Sequence, residues 1–177
     1  KVRYRSVDNI IKEIKYWIEK LKTNKFAFRD PVFSINRKYT VSLCEQIISE
    51  NLKIEFQIET HLKNLDDKLI ILLKRAGLKM VYVGVESSNP NVLKGIKRFT
   101  VDNDQQYQII KKLEKNVKIV KAMFMLANPD DDVETIKKTI VYSKFLPNQL
   151  VQFSVFTPYP GTPAYNEFKD KIIVTEF

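Results

Sequence analysis

The feature that most constrains this chain is a repeated exchange of hydrophobic period. Short segments with alternating apolar residues are followed by stretches of 10 to 15 residues with helical spacing, and the exchange recurs along the whole length. Ile10, Ile11, Ile14, Trp17, Ile18 and Leu21 form the first helical stripe, with Ser6 at the N-cap and Asp8 in the first turn. A short aromatic strand over Lys25–Arg29 stops at Asp30-Pro31, where proline holds its predecessor extended. The spacing then predicts a helix over Arg37–Glu50, a strand over Lys53–Glu59, a helix over Asp66–Ala76 closed by Gly77, and a strand over Lys79–Glu86. Helices over Pro90–Lys97 and Val101–Lys115, the second capped by Thr100, lead to a strand over Lys118–Leu126. A helix over Asp132–Phe145 and a strand over Gln149–Phe156 complete the series.

Strands alternating with helices imply right-handed βαβ units and a parallel sheet. A sheet covered on both faces would be apolar throughout, and this one is not. Ile54, Phe56 and Ile58 alternate with Glu55, Gln57 and Glu59; Val151, Phe153 and Val155 alternate with Gln152 and Ser154; Val81, Val83 and Val85 lie opposite Met80, Tyr82, Gly84 and Glu86. One face packs on helices and the other is largely polar. A closed eight-stranded barrel fills its lumen with branched apolar residues, so the pattern predicts a wider, incomplete barrel with a hydrated or ligand-filled interior. The predicted class is α/β, a partial (β/α)6 TIM-like barrel with five parallel strands. Because a helix comes first, the first strand is expected upstream of Lys1, and residues 1–177 are read as a single domain, a core fragment truncated at both ends.

In such folds the chemistry sits at the carboxyl ends of the strands. Those ends are Arg29-Asp30, Glu59-Thr60-His61, Glu86-Ser87-Ser88, Ala127-Asn128-Pro129 and Thr157-Pro158-Tyr159. Three of them carry longer patterns. The first is Phe28-Arg29-Asp30-Pro31-Val32-Phe33, the second Ala76-Gly77-Leu78 followed by Gly84-Val85-Glu86-Ser87, with Val92, Leu93, Lys94 and Lys97 behind it. The third is Thr157-Pro158-Tyr159-Pro160-Gly161-Thr162-Pro163. In this order, and at strand ends, they resemble radical S-adenosylmethionine (SAM) enzymes, in particular the branch whose members usually carry an upstream cobalamin-binding domain. The resemblance covers about Tyr4 to Phe168.

The resemblance implies an Fe-S oxidoreductase type of enzyme, with SAM and a 4Fe-4S cluster as cofactors, and cobalamin where an upstream domain holds it. In this family three cysteines spaced C-x-x-x-C-x-x-C bind the cluster and precede the segment matched here. The chain has one cysteine, Cys44, which falls on an apolar helical stripe and reads as a small buried hydrophobe. Cluster ligands are therefore expected outside this chain, which by itself is expected to be inactive. The implied reaction passes one electron from a reduced cluster to the SAM sulfonium for radical or methyl-transfer chemistry, which calls for an electron donor such as flavodoxin or ferredoxin. No catalytic residue is assigned, and the substrate stays open.

The cofactor-binding candidates are Asp30, Glu59, His61, Glu86, Ser87, Met125 and Asn128. Glu86 suits either a ribose diol, as a carboxylate that accepts two hydrogen bonds, or the cap of the helix beginning near Pro90. Asp30 would face the amino group of SAM or fix the turn at Pro31. His61 would bind a carboxylate or hydrogen-bond backbone. Met125, with Met123, would line an adenine pocket or fill core. The family's "GLPGE" segment appears as Ala127-Asn128-Pro129-Asp130-Asp131, so Ala127 brings a Cβ where backbone would approach the cofactor.

Lys and Arg number 30 against 21 Asp and Glu, a net charge of +9, which raises an RNA-binding or RNA-modifying barrel module as the alternative. The lysines are spread along the predicted helices, and neither an arginine-rich stripe nor a glycine-rich aromatic platform is present. No apolar run is long enough for a membrane span and no signal peptide is evident. The chain is expected to be cytoplasmic.

Overall fold

The computed structural model describes residues 3–95 and 101–172. Five strands form one parallel sheet in the order β1 to β5: β1 (Lys25–Ala27), β2 (Glu55–His61), β3 (Leu78–Glu86), β4 (Ile119–Leu126) and β5 (Leu150–Val155). Sequential order and uniform direction bend the sheet into a curled half-barrel, as the alternation predicts. The helices are α1 (Val7–Leu21), α2 (Arg37–Ser49), α3 (Asp67–Ala76), α4 (Pro90–Gly95), α5 (Asn103–Asn116), α6 (Val133–Phe145) and α7 (Pro163–Phe168).

Capping explains where the helices start. Ser6 accepts from the Asn9 amide ahead of α1, Asn36 from Tyr39 ahead of α2, Asp66 from Leu69 ahead of α3, and Asp132 from Thr135 ahead of α6. That backbone hydrogen bond, helped by the Arg37 guanidinium, holds the Asp66 carboxyl below its ordinary range. The cap expected at Thr100 is corrected. Asp102 accepts from the Gln105 amide and α5 starts at Asn103, while Thr100 and Lys97 lie outside the described residues.

The core lies between the helices and the outer face of the sheet. Val81, Val83, Val85, Val120, Ala122 and Phe124 from the strands meet Leu43, Ile47, Leu69, Leu73, Ile110 and Leu113 from the helices, all at most 1% exposed. Each such aliphatic side chain contributes roughly 1.5–3 kcal/mol on burial. Cys44 belongs to this core at 0% exposure. β5 differs, since all six of its residues are exposed. Among the described residues, no helix is long and apolar enough to cross a membrane.

Candidate functional site

The polar face lines a lumen, and strand register orders its side chains in layers. Glu59, Tyr82 and Lys121 form one row across β2, β3 and β4; two residues further on, His61, Gly84, Met123 and Gln152 form the next. A cavity of about 440 Å³ opens here, lined by Phe28, Arg29, Gln57, Glu59, Tyr82, Met123 and Gln152 among others. The Tyr82 hydroxyl donates to Gln57 Oε1 at 3.4 Å, and the Lys121 ammonium sits 5.1 Å from the centre of the Tyr82 ring.

Glu86 stands at the carboxyl end of β3, in a distorted piece of backbone. The β3–β4 register slips between Gly84, opposite Met123, and Glu86, opposite Phe124. The slip is a bulge, which re-aims the side chain that follows it. Glu86 has φ +68°, and the Ser87 amide donates to the Val85 carbonyl at 2.9 Å, closing a three-residue γ-turn. Positive φ is costly for a residue with a Cβ and concentrates at functional sites. A Cβ on Gly84 would lie 3.0 Å from Glu86 Oε1, so the carboxylate folds back over Gly84 on the lumen side. That explains the pairing of Gly84 with Glu86: the glycine leaves the space that the acid fills. The alternative role as a helix cap falls to Asn89, whose side chain accepts from the Asn91 amide and whose carbonyl accepts from Leu93.

The other candidates are dispersed. Ser87 turns away from the lumen; it is 0% exposed, its hydroxyl meets that of Thr139 on α6 and accepts from the Asn89 amide. Ser87 falls on the helix-facing side with Val81, Val83 and Val85, and so ties the β3–α4 loop to α6. Asp30 lines a separate cavity of about 440 Å³ with Arg3, Arg5 and Tyr39 outside β1, not the lumen. Burial raises the Tyr39 phenol above its ordinary range, and the Asp30 carboxylate adds to it. His61 lies in the lumen row, where its Nδ1 accepts from the Lys63 amide at 3.3 Å, the backbone option open in the sequence. Glu59 is exposed on the lumen wall, and Met123 lines the same space.

Met125 faces a further cavity of about 690 Å³ between the carboxyl ends of β4 and β5, with Ser154, Thr157, Tyr159 and Phe168. Asn128 adjoins this region. It is 3% exposed, and its Nδ2 donates to the Met125 carbonyl and to Asp131 Oδ2, while Oδ1 has no partner among the described groups. A buried acceptor in this state calls for a donor, from ordered water or a ligand. Ala127 has φ +56°, and the left-handed region costs an L-residue with a Cβ about 1–2 kcal/mol. Ala127→Gly should raise stability by about 0.5–1 kcal/mol, the strain relieved exceeding glycine's entropic cost, as an upward shift of the urea midpoint.

Sequence reasoning put Gln57, Tyr82 and Gln152 on the polar face and Arg29 at a strand end, but named none of them, nor Lys121, as a site candidate. Their signal was available: each is the polar or amphipathic member of an alternating pair, Lys121 between Val120 and Ala122. Among the described residues, no group of three or more His, Cys, Asp or Glu is placed to hold a metal. Burial pushes the Cys44 thiol up to about 12, so the residues described do not fit a thiolate-held cluster. Cys44 should react with an aromatic disulfide reagent at pH 8 only once the protein is unfolded. Outside the lumen, Lys15, Arg37 and Lys112 pair with Glu50, Asp66 and Asp67, which turns part of the positive charge into local ion pairs.

With the lumen defined, comparison with known proteins becomes informative. An uncharacterized methyltransferase of Pyrococcus horikoshii is 28% identical over 160 residues, covering 90% of this chain and 35% of that protein. The bacteriochlorophyllide d C-12(1)-methyltransferase of Chlorobaculum tepidum is 26% identical, over 96% of this chain and 38% of its own length. The chain thus spans little more than a third of these curated relatives. Among solved structures, the radical SAM methyltransferase TsrM from Kitasatospora setae, with cobalamin and a [4Fe-4S] cluster bound, superposes with a TM-score of 0.85 at 16% identity, over 94% of this chain and 34% of that one. The family model of the Radical SAM superfamily matches residues 1–140. The chain belongs to the radical SAM superfamily.

Proposed function

We propose that this chain forms the SAM-holding part of the barrel in a radical SAM enzyme of the cobalamin-dependent methyltransferase and cyclase type. The observation that carries the reading is the Glu86 carboxylate, held by a strained γ-turn and a bulge in the space above Gly84 at the carboxyl end of β3. A carboxylate kept there at a conformational cost fits a ribose diol, whose two hydroxyls need acceptors. Asn128 Oδ1, a buried acceptor beside the Met125 cavity, suits a second donor such as an adenine amine. Names of the relatives support the reaction type, and substrate identity is left to the deep lumen.

SAM bound against a reduced 4Fe-4S cluster supplies the electron-transfer, radical or methyl-transfer chemistry of this superfamily. The chain's own part is to bind and orient. Glu86 would accept from the ribose, the Met123 and Met125 side chains would exclude water from the adenosyl face, and the polar lumen would receive the substrate. In this reading the cluster cysteines and the first strand come from polypeptide preceding Lys1, cobalamin from a further domain, and the electron from a flavodoxin-like or ferredoxin-like donor. Asp30 and Ser87 have no direct role in it.

Gly84→Ala is the sharpest test, because it leaves every proposed contact group in place. The new Cβ would lie 3.0 Å from Glu86 Oε1, so the carboxylate must give way by a few tenths of an ångström from the position it now holds. Calorimetric titration of SAM into the reconstituted intact protein should show an affinity several-fold weaker than wild type. Equal affinity would mean that the position of Glu86 is irrelevant to SAM.

A further inference from the structure

The lumen wall carries charge that SAM binding does not use. Glu59, Tyr82 and Lys121 share one cross-sheet row. That row lies one layer, about 7 Å by strand rise, deeper than the row of Gly84, over which Glu86 folds. Lys121 is a half-buried lysine in the middle of β4, a position that parallel strands usually give to apolar residues. Its ammonium rests against the Tyr82 ring at 5.1 Å, a cation–π contact that holds it without neutralising it. Arg29 lines the lumen cavity together with Glu59 and Tyr82, the row that Lys121 continues on β4. Among the described residues, neither Arg29, Glu59 nor Lys121 takes part in an ion pair. Two cations and one acid therefore leave the deep lumen with a single positive charge in excess.

From this arrangement we infer that the substrate taken by the deep lumen is a molecule with a flat apolar body and one carboxylate. Lys121 receives the carboxylate, and the body lies against Tyr82, Phe28 and Met123. A neutral lipid would leave the Lys121 charge buried beneath it without a counterion. A dianion such as a phosphate monoester would meet Glu59 in the same row and would find no glycine-rich loop or helix N-terminus. The space of about 440 Å³ falls within the ordinary range for small-molecule sites. Tyr82 and Gln57 fix the floor, since the Tyr82 hydroxyl is engaged by Gln57 and not available to turn toward solvent. Lys121 is thus a specificity-determining residue. The inference rests on the proposed function only in treating the lumen as the reaction chamber.

The test uses two probes of equal shape, 2-naphthoate and 2-naphthamide, which differ in charge. Their binding to the intact protein is measured by ligand-detected NMR and equilibrium dialysis. Wild type should prefer the naphthoate by about tenfold, the scale of one charge-assisted contact. Lys121→Met should abolish the preference by weakening the naphthoate alone, Lys121→Arg should keep it, and Glu59→Gln should increase it. Equal binding of the two probes, no binding of either, or a preference that survives in Lys121→Met would overturn the inference. A SAM titration of wild type run alongside separates the two readings. Failure to bind SAM removes the proposed function and leaves the naphthoate preference to decide this one.

Discussion

Replacing Gly77 with alanine should lower stability by roughly 2–5 kcal/mol, the sum of a left-handed backbone penalty and an overpacking clash. Gly77 has φ +112°, and its amide closes α3 on the Leu73 and Lys74 carbonyls. A Cβ there would lie 2.1 Å from the Ile54 carbonyl oxygen, which is backbone and has no rotamer to escape into. The Gly77 carbonyl accepts from the Phe56 amide at 3.0 Å, so movement to relieve the clash would break the start of the β2–β3 ladder. For a chain of this size the melting temperature should fall by about 10 °C or more. Gly161→Ala is the control. Gly161 also has positive φ, at +83°, but open space surrounds its Cβ position, so it should cost only about 1–2 kcal/mol. Equal losses at the two positions would mean that the contact with β2 is not what requires Gly77.

Substitutions at Glu86 should move affinity and stability in opposite directions. Glu86→Ala removes charge-assisted hydrogen bonds of about 1.5–3 kcal/mol, equivalent to a loss of SAM affinity of roughly ten-fold to a hundred-fold. Glu86→Gln should lose less, because the amide oxygen remains an acceptor. Glu86→Gly should lose as much affinity as alanine yet melt at a higher temperature than either, since glycine adopts φ +68° without penalty. Exposed Glu114 on α5 serves as control, with SAM binding unchanged on replacement. A Glu86→Gly variant that loses both affinity and stability would show that the turn is a packing feature and not a functional strain.

The sheet was legible because its two faces differ chemically. Val81, Val83 and Val85 against Tyr82, Gly84 and Glu86 specify both a strand and an inner face, and Asp66 and Gly77 delimit α3 at either end. β2 extends two residues further than its alternation implies, because Thr60 and His61 continue the pairing with Val83 and Gly84. β1 ends two residues early, at Ala27, where Phe28 turns to stack on Phe33 and Phe56.

The candidate site was less legible, for reasons that concern single residues. Alternation alone puts Ser87 on the helix side with Val85, where it meets Thr139, but nothing in Gly-Val-Glu-Ser signals the bulge and positive φ that fold Glu86 back over Gly84. Asp30 reads as a strand-end acid, yet the turn at Pro31 carries it outside β1, into the cavity with Arg3 and Arg5. Lys121 was visible as an oddity of pattern, but its significance depends on Tyr82 and Glu59 lying in register with it, which only strand pairing reveals.

The central claim is that SAM is held at the carboxyl ends of β3 and β4, with Glu86 as its anchor. Hydrogen–deuterium exchange of the intact reconstituted protein, with and without saturating SAM, tests it most directly, because opening of the strand-end loops is local and reports ligand contact. The account predicts slower exchange across residues 84–88 and 125–131, lost at 84–88 in Glu86→Ala at the same SAM concentration, with α1 and α2 unaffected. Protection confined to other segments, or unchanged exchange at 84–88 in the presence of bound SAM, would contradict it.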